Sequence, residues 1–195
     1  MISSIVRPFA LLLPLALVTL PGVAARAQQP KLEMHRAGAD SKDPSGWHLA
    51  VSTKGSFSVR MPIPFNDFTV RSTDPKSEEV THVIGGKSTE GIKLSAVEMP
   101  ASVKSAPSLD KILADLSAKP GIKVSDVQRA AKGDVDTLSF SLSGTQTSAH
   151  VRYIKTKGVT YTLTIEFPNA HRDDATAVRE EFFGSFKTNA IGSAR

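Results

Sequence analysis

Five histidines, a Gly-Gly-Lys-Ser-Thr run, many serines and scattered carboxylates are the residues of this chain with chemistry to offer. The run Gly85, Gly86, Lys87, Ser88, Thr89 invites a phosphate-loop reading. That loop needs a further glycine five residues before Gly86, where Thr81 stands, and a helix after it to aim backbone N–H groups at phosphate. Gly91–Met99 alternates like a strand instead, so the run reads as a hairpin loop. Zinc or copper sites usually carry a His-x-His pair on a strand or His-x3-His on a helix. None of His35, His48, His82, His150 and His171 has such a neighbour. Glu78 with His82, and His171 with Asp173 and Asp174, are the nearest candidates. The first reads as a polar pair on one side of a strand, the second as an ordinary first helical turn.

No Gly-x-Ser-x-Gly nucleophile elbow occurs. The acids Glu78, Glu79, Glu90, Asp110, Asp115, Asp134 and Asp136 fall at turns, strand ends and helix surfaces, although a carboxylate pair for glycoside chemistry is assembled in space and leaves no mark in sequence. With no cysteine in the chain, disulfide scaffolds, thiolate metal sites, iron–sulfur clusters, cysteine nucleophiles and lipoprotein anchoring are excluded. The expectation is therefore a protein that is not an enzyme, with no catalytic, cofactor-binding or metal-ligating residue assigned and no cofactor. A hydrolase without a recognisable motif stays as an alternative.

Residues 1–27 set the compartment. Arg7 supplies a positive start, Phe9–Leu20 an apolar run, Pro21 and Gly22 a break, and Ala25-Arg26-Ala27 a small-residue cleavage site before Gln28. The uncharged stretch Pro8–Ala25 is at the lower limit for spanning a bilayer, but its internal prolines and the Ala-x-Ala site favour a cleaved signal peptide over an anchor. The expected product is periplasmic and not membrane-inserted. Loss of Arg7 and Arg26 lowers the formal charge from +5 to +3. The remaining cations are dispersed, the densest being Arg152, Lys155 and Lys157, so nucleic acid is not an expected partner.

The mature chain, about 168 residues with 40% apolar and 22% charged residues in the full sequence, suits one globular domain. Residues 28–45 lack periodicity and read as a flexible N-terminal arm, followed by a domain over 46–188 and a tail over 189–195. Phe57, Val59 and Met61 alternate with polar residues and predict a strand ended by Pro62-Ile63-Pro64. Further strands are expected over Glu79–Ile84, Gly91–Met99, Ile122–Val127, Val135–Leu142, Ala149–Ile154 and Val159–Phe167. In the last, Val159, Tyr161, Leu163, Ile165 and Phe167 alternate with Thr160, Thr162, Thr164 and Glu166, giving one dry and one polar face. The short Lys155–Gly158 link pairs it with its predecessor. Ser108 caps a helix whose Leu109, Ile112, Leu113 and Leu116 share a face, stopped by Lys119-Pro120-Gly121. A second helix over Asp173–Phe183 buries Ala175, Val178 and Phe182 and ends at Gly184, with Phe186 tucked back onto the core. Trp47, at the junction of arm and domain, is expected to seal the core edge rather than line a groove. The fold class is α+β, a largely antiparallel sheet of about six to seven strands flanked by two helices.

Trp47, the Phe57-Ser58-Val59…Pro62 run, the hairpin from Val151-Arg152-Tyr153 to Gly158-Val159-Thr160-Tyr161, and the closing Phe182-Phe183-Gly184-Ser185-Phe186-Lys187 occur in that order. The set resembles secreted bacterial domains of the PsbP-like superfamily, which spans PsbP, Mog-type Ran nucleotide-release factors and DcrB-like envelope proteins. The resemblance covers roughly Gly46–Thr188. It implies an α/β/α sandwich, no catalysis, and action by docking on other proteins. The function expected is thus that of an exported, non-catalytic envelope protein that binds another envelope protein, not nucleic acid, through an exposed face such as Thr160/Thr162/Thr164. The alternative is a periplasmic carrier of a small apolar ligand, in a cavity lined by Leu113, Leu116, Tyr161 and Phe182.

Overall fold

A computed structural model describes residues 30–72, 80–100 and 108–188. The expected signal peptide over residues 1–27, Glu78, Glu79 and the expected tail over 189–195 lie outside them. In chain order the strands are β1 (Lys31–Ala39), β2 (His48–Val51), β3 (Phe57–Met61), β4 (Phe65–Arg71), β5 (Val80–Lys87) and β6 (Lys93–Pro100). Helix α1 (Leu109–Ser117) leads to β7 (Lys123–Lys132), β8 (Val135–Ser143), β9 (Thr147–Lys155) and β10 (Val159–Pro168). Helix α2 (Arg172–Gly184) and the short β11 (Lys187–Thr188) close the chain.

Eight strands form one antiparallel sheet in the order β1-β4-β5-β6-β10-β9-β8-β7, and a second sheet has the order β11-β3-β2. The strand count exceeds the six to seven expected, for three reasons. First, the segment read as a flexible arm contains β1, paired along β4 from Lys31↔Arg71 to Ala39↔Phe65. Second, the chain restarts as a strand immediately after Pro64, because Phe65, Asp67 and Thr69 all point inward and are buried. Third, β2 and the two-residue β11 are too short to show a period, although β2 buries His48 and Ala50 and leaves Leu49 and Val51 outside.

The dry face of β10 is the centre of the main core. Tyr161, Leu163, Ile165 and Phe167 pack with Ile84, Leu94 and Ala96 of the neighbouring strands, and β3 and α2 cover them with Phe57, Val59, Met61, Ala175, Phe182 and Phe183. Phe186 returns as the sequence suggests, stacking on Phe57 with ring centroids 6.0 Å apart and lying 5.1 Å from Tyr161. Gly86 allows β5 to run beneath the Pro62–Pro64 turn: a Cβ there would meet the Pro64 carbonyl oxygen at 2.5 Å.

The opposite face carries a second, smaller core. Ser108 caps α1, its hydroxyl accepting from the Lys111 N–H. The helix then lays Leu109, Ile112, Leu113 and Leu116 on Leu138, Phe140, Ala149 and Val151. Strand alternation separates the two cores, since Leu163 pairs with Arg152 and Thr164 with Val151. Among the described residues no helix is long and apolar enough to cross a membrane.

Candidate functional site

Register brings polar residues into a row on the inner face. Thr69 of β4 pairs with His82 of β5, His82 with Glu98 of β6, and Glu98 with Tyr161 of β10. Thr69 Oγ1 lies 2.8 Å from His35 Nε2 and 3.1 Å from His82 Nδ1. Glu98 accepts the Ser56 backbone N–H at 2.7 Å and its hydroxyl at 2.6 Å, and that hydroxyl lies 3.1 Å from the Tyr161 phenol. Two residues along β4 from Thr69, Asp67 is 1% exposed. It accepts the Thr53 N–H at 2.8 Å, the Thr53 hydroxyl, and Arg36 Nη2 at 3.1 Å.

These bonds fasten the Ser52–Ser56 connection onto the sheet. His82 does meet acidic neighbours, but not at the bottom of a cleft. Gly55 covers it so closely that a Cβ on Gly55 would stand 3.0 Å from the His82 Cβ. Burial pushes the His82 imidazole below its usual pKa, with Glu98 pulling the other way. Both carboxylates accept donors from the loop, which is the arrangement of a clamp.

A second polar group lies where the sheet runs out from under α2. Ser141 of β8 and His150 of β9 are register partners, with Oγ 3.0 Å from Nδ1. The other ring nitrogen of His150 is 3.3 Å from Thr176 Oγ1 on α2. A hydrolytic triad would have a carboxylate in that place. Beside them Arg152 donates through Nε to Ser139 Oγ at 2.9 Å, and its guanidinium lies 4.8 Å from the Phe183 ring centroid. Together with Asp126, Arg179 and Glu180 they line a cleft of about 50 Å³. Burial lowers the pKa of both His150 and Arg152.

The third feature is the outer surface of the small sheet. Leu49 and Val51 of β2 are 61% and 40% exposed. Leu49 borders a groove of about 210 Å³ shared with Ser58, Arg60, Glu181, Ser185 and Lys187. Arg60 is tied down at the groove's side by ion pairs to Asp43 and Glu181, and its guanidinium sits 5.6 Å from the Trp47 ring. Trp47 itself packs against the main core and seals its edge. The Ser45 hydroxyl and the Trp47 backbone N–H donate to the Asp43 carboxylate, and together with Arg60 they hold its pKa down to about 2.

The remaining sequence candidates are dispersed. Gly85, Gly86 and Lys87 continue β5, and Ser88 to Gly91 form the turn into β6, closed by the Ser88 N–H on the Ile92 carbonyl. His171 pairs with Asp174 at 3.1 Å on the surface at the start of α2. Thr160, Thr162 and Thr164 are half-buried rather than an open platform. Leu113 and Leu116 belong to the α1 core, whereas Tyr161 and Phe182 belong to the main core, so the sheet stands between the two halves of the suggested carrier cavity. Among the described residues no group of three or more histidines and acids is placed to hold a metal ion.

No protein-family model matches the chain, and no curated protein matches it in sequence. Solved structures with a similar arrangement include cyanobacterial PsbP (CyanoP) from Synechocystis, 10% identical over 75% of this chain and 94% of that one, with a TM-score of 0.49. LpqN, involved in cell envelope biogenesis of Mycobacterium tuberculosis, is 12% identical over 85% of this chain and 87% of its own, with a TM-score of 0.35.

Proposed function

We propose that this chain is an exported, non-catalytic accessory domain of the cell envelope, and that it binds another protein through the outer face of its β11-β3-β2 sheet. The observation that carries the reading is the exposure of Leu49 and Val51 beside the groove. Two large apolar side chains on one strand, facing water and rimmed by Arg60, Glu181 and Lys187, have the make-up of an interface centre with a polar rim. The signal-peptide pattern of residues 1–27 supports export. The non-catalytic part is supported by how the buried acids are spent, on loop N–H groups and hydroxyls rather than on an open cleft.

The test is site-specific photocrosslinking from position 187, at the rim of the groove, in envelope extract, followed by mass spectrometry. One reproducible protein partner is expected. The double variant Leu49→Glu, Val51→Lys should lose it while its unfolding midpoint stays within about 0.5 kcal/mol of the parent, as for surface changes. Undiminished capture by that variant would remove this face from consideration.

A further inference from the structure

Arg152 differs in its surroundings from most arginines of the fold. Arg36, Arg60, Arg71, Arg129 and Arg179 each meet a carboxylate. Arg152 is half-buried, rests on the Phe183 ring and has Ser139 as its hydrogen-bond partner among the described residues. Stacking and the Nε bond fix the plane of the guanidinium, and the terminal nitrogens are left at the cleft. A fixed fork of two N–H donors matches the two oxygens of a carboxylate.

We infer that the cleft between β7–β9 and α2 is a carboxylate-binding site anchored by Arg152. Its volume, about 50 Å³, admits a carboxylate group and not a whole metabolite, so the rest of the ligand would extend outward. The Ser141 hydroxyl and the His150 ring stand at the same wall, but they are bonded to each other and to Thr176, so the donors offered to the ligand are those of Arg152. Charge selects the class of anion. Asp126 reaches the cleft from a bulge between Ser125 and Gln128, at φ 53°, and Glu180 lines it from α2 beside its partner Arg179. Those two acids offset the two arginines, so one added negative charge is balanced better than the two of a phosphate dianion. The carboxylate could be that of a free organic acid or of a peptide C-terminus, the recognised group being the same.

The experiment is an NMR titration of the mature protein, following the Arg152 Nε–Hε signal. The probes are acetate, inorganic phosphate, N-acetyl-diglycine and the amide of that peptide. Acetate is expected to saturate the signal, and phosphate to bind more weakly at pH 7.5. Arg152→Gln should weaken acetate binding about tenfold or more, the loss of one charge-assisted pair. Arg152→Lys keeps the charge without the fork and should fall between. Asp126→Asn should tighten binding, a change that a purely structural Arg152 would not produce. N-acetyl-diglycine binding more tightly than acetate, with its amide inactive, would support a peptide terminus as the source; equal binding would support a free acid. Absence of saturation by about 100 mM, phosphate outcompeting acetate, or unchanged binding in a folded Arg152→Gln would each overturn the assignment.

Discussion

Asp67 shows how a single side chain can hold an otherwise loose connection. Its carboxylate is enclosed, and its donors come from Thr53 on the loop and Arg36 on β1, so it joins an edge strand, a loop and the sheet interior at one point. Asp67→Asn keeps the shape but removes the charge facing Arg36 and offers N–H where an acceptor is needed. Mismatching the donors around this buried position costs about 1–3 kcal/mol. The expected result is a lower denaturant midpoint at unchanged slope; a loss below about 0.5 kcal/mol would contradict the clamp. This cluster was hidden in the sequence. Thr53, Asp67, His82 and Glu98 come from four separate segments, and only strand register makes them neighbours. The His150 and Arg152 pair was closer to legible. The short Lys155–Gly158 link aligns Ile165 with His150 and Leu163 with Arg152, which places both polar residues on the dry side of the next strand.

At the scale of elements, the strands legible in advance are those with strict alternation between a buried and a watered face, such as β10. The overlooked β1 has little inward apolar content. Leu32 and Met34 stay exposed, and the strand is held by its ladder to β4 and by His35 and Arg36. Backbone hydrogen bonding leaves no mark on composition, which is why an edge strand of this kind reads as a tail. Close approach is likewise invisible before the fold is known. The pass of β5 under the Pro64 carbonyl depends on the missing Cβ of Gly86. Gly86→Ala should therefore cost about 1–3 kcal/mol by forcing the turn and strand apart, read from the thermal midpoint. Gly158→Ala, at a site where a Cβ meets nothing within 4 Å, is the matched control and should cost much less.

For the molecule as a whole, acidification is the natural stress, since burial depresses the pKa of both His82 and His150 below the ordinary 6.5. The unfolded chain then takes up protons before the folded one does. Stability is full above about pH 6.5 and falls as the pH drops through the two depressed values. Unfolding midpoints at pH 7.5 and 5.5 should differ in that direction, and the double variant His82→Gln, His150→Gln should flatten the difference. An equal slope in the variant would assign the effect elsewhere.

The rings that shut the main core come late in the chain. Phe182, Phe183 and Phe186 cap an interior begun at Phe57, well over a hundred positions earlier. A polypeptide leaving a ribosome, or threading through a translocation channel, therefore has no sealed interior until its final segment is free.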